Sequence, residues 1–287
     1  MGGAIEVGTL ALADGTPSVA VATDGANYVV CYGPAATQTL SGIDCASVPV
    51  AAGNAVSGSS IPAAGFPALA FGPGGFMLAL RNAAGSQVQR VDAHGVLLGP
   101  LQLIREEVLA SAGTNVSIVA VPAGYIATSG ADASVSLNRL DPNGQIINKN
   151  HIDIFGAVGL YGIASAGDDV GVALISVFGL LNVSIFHPSD ALWTPFVSLS
   201  PEGEAYTQIA VAGAGGSFGI TGLTAMGSIV YRTLTPDGTV TGNQVDVHQV
   251  GVADNPHALI AVSDGFLLAT TMHAGMDAID VLHLGCP

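Results

Sequence analysis

Short apolar runs alternate along the whole chain with clusters of Gly, Asp, Asn and Pro, as in "PSVAVATDGANYVVCYG" from Pro17 and "PALAFGPGGFMLALR" from Pro67. The same design returns as "VSIVAVPAGYIATSG" from Val116 and "YGIASAGDDVGVALIS" from Tyr161. It appears twice more, as "YTQIAVAGAGGSFGITG" from Tyr206 and "PHALIAVSDGFLLATT" from Pro256. Runs of this length, bounded by residues that supply a positive or fixed φ, read as strands joined by tight turns. No stretch sustains a helical period, and glycine at this density costs a helix about 1 kcal/mol per interior site. Each copy therefore predicts a hairpin of two strands, A and B.

A second hairpin, C and D, follows the first. It is spelled "RVDAHGVLLG" from Arg90, "RLDPNGQIIN" from Arg139, "IFHPSDALWT" from Ile185 and "RTLTPDGTVTG" from Arg232. Repeats of about 45 to 50 residues are the spacing of stacked supersecondary units. Each unit is then a four-stranded antiparallel meander. Its A and B strands are apolar on both faces, which requires a neighbour on each side. The small residues Ala20, Ala70, Ala120, Ala164, Ala210 and Ala261 suit crowded inner strands.

The ends refine the picture. The sixth unit starts at Pro256 and stops after its third strand, while "AIEVGTLAL", residues 4–12, precedes the first unit and resembles "GVLLGPLQL". Joining the two closes a ring and removes an open sheet edge, whereas an open solenoid needs two polar caps. The expectation is an all-β, six-bladed β-propeller forming a single domain over 1–287. Its repeats start near 17, 67, 116, 161, 206 and 256, and residues 4–12 complete the last blade.

The chain resembles bacterial propeller-repeat proteins whose blades run as an apolar hairpin followed by Arg-x-Asp-x-x-Gly. The matching turns are Asp92-Ala93-His94-Gly95 and Asp141-Pro142-Asn143-Gly144. The resemblance covers nearly the whole chain and implies a shape, and a secreted or surface-associated protein, but no activity. The Trp-Asp dipeptide of WD40 blades and the Ser-x-Asp-x-Gly-x-x-Trp box of sialidases are both absent.

Composition narrows the partners. The chain is 49% hydrophobic and 9% charged, which describes a folded protein. Lysine and arginine total 6 against 21 acidic residues, a formal charge of -15. Phosphate backbones need a basic surface, so nucleic acid is excluded. The longest apolar stretch, from Val170 to Ile185, is broken by Gly179, Asn182 and Ser184, so no membrane insertion is expected. The expected state is a monomer. Neither end carries a secretory signal, but Met1-Gly2-Gly3 reads as a start joined to a mature sequence, so that absence does not prove a cytoplasmic home; the expected location is extracellular or cell-surface. Of the three cysteines, Cys31 reads as a buried small hydrophobe. Cys45 and Cys286 fall where the C–D turns of adjacent blades are due, so a Cys45–Cys286 bridge would latch the ring.

In this strand order the D–A and B–C loops share one face, the natural place for a ligand. That face would gather Arg81, Asn82, Asn115, Asp132, Tyr161, Tyr206, Asp254, His257, His273 and Asp277. Carboxylates and imidazoles of the last four suit a divalent metal or a proton-transfer pair, although their spacing matches no defined metal motif. No cofactor is expected, with that metal as the alternative. Gly215-Gly216-Ser217-Phe218-Gly219 matches a hydrolase nucleophile pattern but lies in a hairpin, where that motif has no function. Without a catalytic constellation, the chain reads as a non-catalytic module holding a glycan, peptide or protein. The alternative is a lyase or hydrolase with an axial pocket; a third reading is an architectural domain of a larger surface protein.

Overall fold

The structure, a computed structural model, describes residues 17–34, 42–51, 54–62, 64–82, 85–106, 116–131, 134–153, 158–176, 178–200, 204–249, 257–273 and 277–285. Every regular element among them is a β-strand. The strands divide into two compact units, residues 1–153 and 154–287.

The first unit holds three antiparallel meanders. Blade 1 comprises β1 (Pro17–Thr23), β2 (Asn27–Pro34), β3 (Ile43–Pro49) and β4 (Val56–Ile61). Blade 2 comprises β5 (Ala64–Gly72), β6 (Gly75–Asn82), β7 (Gly85–Val91) and β8 (Leu97–Glu106). Blade 3 comprises β9 (Val116–Val121), β10 (Gly124–Ala131), β11 (Ser134–Leu140) and β12 (Ile146–Asp153).

The second unit holds the other three sheets. Blade 4 has β13 (Val158–Ala166), β14 (Asp169–Ser176) and β15 (Leu181–His187), with a fourth position split into β16 (Leu192–Trp193) and β17 (Val197–Ser198). Pro195 lies in the gap and has no N–H to continue the ladder. Blade 5 has β18 (Tyr206–Ala214), β19 (Ser217–Thr224), β20 (Ser228–Leu234) and β21 (Val240–Gln249). Blade 6 has β22 (His257–Val262), β23 (Gly265–His273) and β24 (Asp277–Gly285). Residues 4–12, expected to complete it, lie outside the described residues.

The repeated turn forms for a local reason. Asp92 Oδ1 accepts the amides of His94 at 2.8 Å and Val96 at 2.9 Å, while Gly95 takes φ 80°. Asp141 does the same for Asn143 and Gln145, both at 2.8 Å, with Gly144 at φ 82°. The carboxylate thus holds the turn and the glycine accepts its left-handed exit. Blade 4 lacks that glycine, and Ala191 adopts φ 58° itself.

Cores lie between the sheets. Phe76, Leu78 and Leu80 of β6 pack toward blade 1, while Met77 and Ala79 of the same strand pack toward blade 3. This is why the middle strands are apolar on both faces. An aromatic ring recurs at the second position of strand B, as Phe76, Tyr125, Phe218 and Phe266, each at most 2% exposed. The rings press on glycines of the preceding sheet. A Cβ on Gly171 would lie 2.7 Å from Phe218, one on Gly219 3.0 Å from Phe266, and one on Gly72 2.9 Å from Tyr125. Tyr125 adds a polar tie: its hydroxyl donates to Gly75 O at 2.6 Å and accepts from Gly74 N at 3.1 Å.

The cysteine expectation is corrected. Cys45 lies within β3, not at a turn, and is bonded to Cys31 directly opposite on β2. A sulfur so engaged cannot also bridge to Cys286, which itself lies outside the described residues. Nor is Cys31 a free hydrophobe: both half-cystines sit in the core between blades 1 and 2.

Candidate functional site

A cleft of about 270 Å³ opens in the first unit, between the C and D strands of blade 2 and the C–D turn of blade 3. Its origin is local. Val88 pairs with Gln102 and Arg90 with Leu98, so Gly99, Pro100 and Leu101 on β8 oppose Gln89 alone on β7. Gly99 takes φ 72°, and Pro100 offers no N–H. The resulting bulge bends the outer strand away from its neighbour. Gln89 Nε2 donates to Gly99 O and ties the bulge down.

Strand alternation sets what the cleft presents. Val88, Arg90, Leu98 and Gln102 share the face that also carries Met77, because directly paired residues point the same way. Blade 3 supplies Asn143, Gly144 and Gln145 from the turn that Asp141 holds rigid. Gly144 packs so closely that a Cβ there would lie 2.9 Å from Met77 Cε. Arg90 donates through Nη2 to Gly74 O at 3.1 Å, and its Nε is buried without a partner. The floor is therefore apolar and the rim is built from side-chain amides and one guanidinium.

Two corresponding junctions are closely packed. Between blades 1 and 2, Gly95 O accepts from Ser59 N at 3.0 Å, and a Cβ on Gly58 would lie 2.3 Å from that oxygen. Between blades 4 and 5, Thr194 packs close enough that a Cβ on Gly238 would lie 3.1 Å from its Oγ1.

The described residues expected on the loop face fall in β6, β13, β18, β22, β23 and β24. Arg81 is 6% exposed in β6, opposite Ala64 and Ser86. Asn82 ends the same strand opposite Gly85, and Tyr161 lies in β13 opposite Leu174. Tyr206 is 3% exposed, and its hydroxyl donates to Glu204 Oε2 at 3.0 Å. Burial, then that carboxylate, hold its phenol well above the usual range. His257 begins β22 opposite Thr270, with Nδ1 and Nε2 both buried. Burial pushes it below the ordinary histidine value, offset in part by the Thr221 backbone. His273 and Asp277 are brought directly opposite one another at the ends of β23 and β24. Asn115, Asp132 and Asp254 lie outside the described residues. Among the described residues no group of three or more His, Cys, Asp or Glu is arranged to hold a metal. Nor is there among them a helix long and apolar enough to cross a membrane.

The cleft was missed by sequence reasoning, which placed ligands on the opposite face. Its signal was the Gly99-Pro100 pair inside a D strand, where neither residue belongs unless the ladder breaks.

No family model matches the chain, and no curated protein matches it. Solved structures do. The SapL1 lectin, determined in complex with alpha methyl fucoside, is 11% identical over 94% of this chain and 92% of its own, with a TM-score of 0.56. PpgL, the periplasmic gluconolactonase of Pseudomonas aeruginosa, is 14% identical over 93% and 85%, with a TM-score of 0.60. A neuraminidase-like protein from A/bat/Guatemala/164/2009 is 9% identical over 92% and 86%, with a TM-score of 0.54. At these identities the likeness speaks to fold alone. With six antiparallel sheets and no described helix, the fold is an all-β, six-bladed β-propeller.

Proposed function

We propose that the chain is a non-catalytic binding module that takes a glycan in the cleft between blades 2 and 3. The observation that carries this reading is the cleft itself, open at a place where two corresponding junctions are closely packed. A sugar has hydroxyls around its edge and C–H groups on its faces. Gln102, Asn143 and Gln145 offer both donors and acceptors to the first, and Leu98 and Pro100 offer apolar contact to the second. At about 270 Å³ the cleft falls just below the roughly 300–1,000 Å³ of sites for drug-sized ligands, a size suited to one ring. The proposal includes an exported or surface location, which the Cys31–Cys45 disulfide favours because such bonds persist in oxidising compartments.

A glycan array probed with the wild-type protein and with Leu98→Trp tests the reading. Leu98 is 39% exposed, so a larger ring there fills the cleft without disturbing the core. Binding by the wild type that the variant loses is the expected result. An array with no bound glycan, or equal binding by both proteins, overturns it. Turnover of a bound glycan would overturn the non-catalytic part.

A further inference from the structure

We infer that the sugar in this cleft is acidic, a uronate whose carboxylate meets the guanidinium of Arg90; the inference rests on the glycan-binding reading above. Among the described residues, Arg90 is the only charged side chain lining the cleft, and no carboxylate among them lines it. Of its five N–H donors, one is used, by Gly74 O, and the buried Nε has none to serve. Asp92 and Asp141 each accept two amides of their own turn through Oδ1. Arg90 is half-buried, and its printed contact is to a backbone carbonyl and not to a carboxylate. Holding a cation away from water without an opposite charge is costly, and an arriving anion removes that cost.

The choice of carboxylate follows from shape. A guanidinium is a planar fork that pairs with two oxygens in one plane, and a uronate presents such a pair at the edge of a ring. The ring's hydroxyls then reach the amides of Gln102 and Asn143, which are neutral and accept or donate without competing for the charge. Met77, fully buried, closes the floor beneath.

Binding of glucuronate and galacturonate is measured by calorimetry against their methyl esters and against glucose and galactose. The ester keeps the ring and hydroxyls but carries no charge, so the contrast needs no change to the protein. The acids are expected to bind about tenfold more tightly than the esters, the lower end for a hydrogen bond to a charged group. Arg90→Met should abolish that difference between acid and ester. Should the variant fail to fold for want of the Gly74 contact, the ester comparison on the wild type still decides. Esters or neutral sugars binding as tightly as the acids, or discrimination surviving Arg90→Met, would overturn the inference and leave the module reading standing. If none of these sugars binds and the array is also blank, both fall.

Discussion

Breaking the Cys31–Cys45 bond is the perturbation whose outcome the structure specifies most closely. The two residues are 14 apart in sequence, and both are buried, at 0% and 3% exposure. Closing a loop of about 15 residues removes unfolded-chain entropy worth about 3 kcal/mol. For a protein of this size class each kcal/mol moves the melting temperature by roughly 2–4 °C, so reduction should lower it by roughly 6–12 °C. Thermal denaturation followed by far-ultraviolet circular dichroism, with and without reductant, reads the shift. A thiol titration of unfolded, unreduced protein identifies the pair. With three cysteines in the chain and two in the bond, one thiol should react. Cys286→Ser should then leave none, whereas a Cys45–Cys286 bond would leave two in that variant. Three thiols in the wild type, two in the variant, or an unchanged melting temperature on reduction would each refute the reasoning.

Other consequences follow from single contacts. Phe218→Ala should cost about 3–5 kcal/mol in denaturant unfolding, since its fully buried ring also covers Gly171 of the preceding sheet. Tyr125→Phe should cost about 1–3 kcal/mol, because Gly74 N and Gly75 O lose their shared partner; an unchanged midpoint would show that water replaces it. His257 titrates below its ordinary value in the folded chain, so the unfolded chain takes up the proton first as pH falls. Stability should therefore be full above about pH 6.5 and decline as pH drops through the lowered folded value. His257→Leu should flatten that decline in a pH series of melting temperatures, and an unchanged slope would remove His257 as its cause.

Periodicity made the architecture legible. Runs such as "FMLAL" are apolar at every position, and residues at successive positions of β6 do serve two different cores. The Asp-x-x-Gly turns could also be read directly, since a carboxylate, a left-handed glycine and their spacing are all local. The site was less legible. Arg90 was visible as part of a repeated turn motif, yet its place in the cleft depends on a bulge in β8 and on a turn from the next blade, some 50 residues later. Cys45 was misplaced by about half a strand, because nothing in "GIDCASV" marks where the strand begins.

By itself, then, the order of residues determined the number of sheets, their meander and the chemistry of their turns. These depend on contacts between residues close in the chain and on a pattern repeated six times. Only the tertiary structure decided which cysteines join, which aromatic covers which glycine, and that a cleft opens between blades 2 and 3. Those outcomes turn on how side chains of neighbouring sheets fill a shared space, and a single bulge is enough to change the answer.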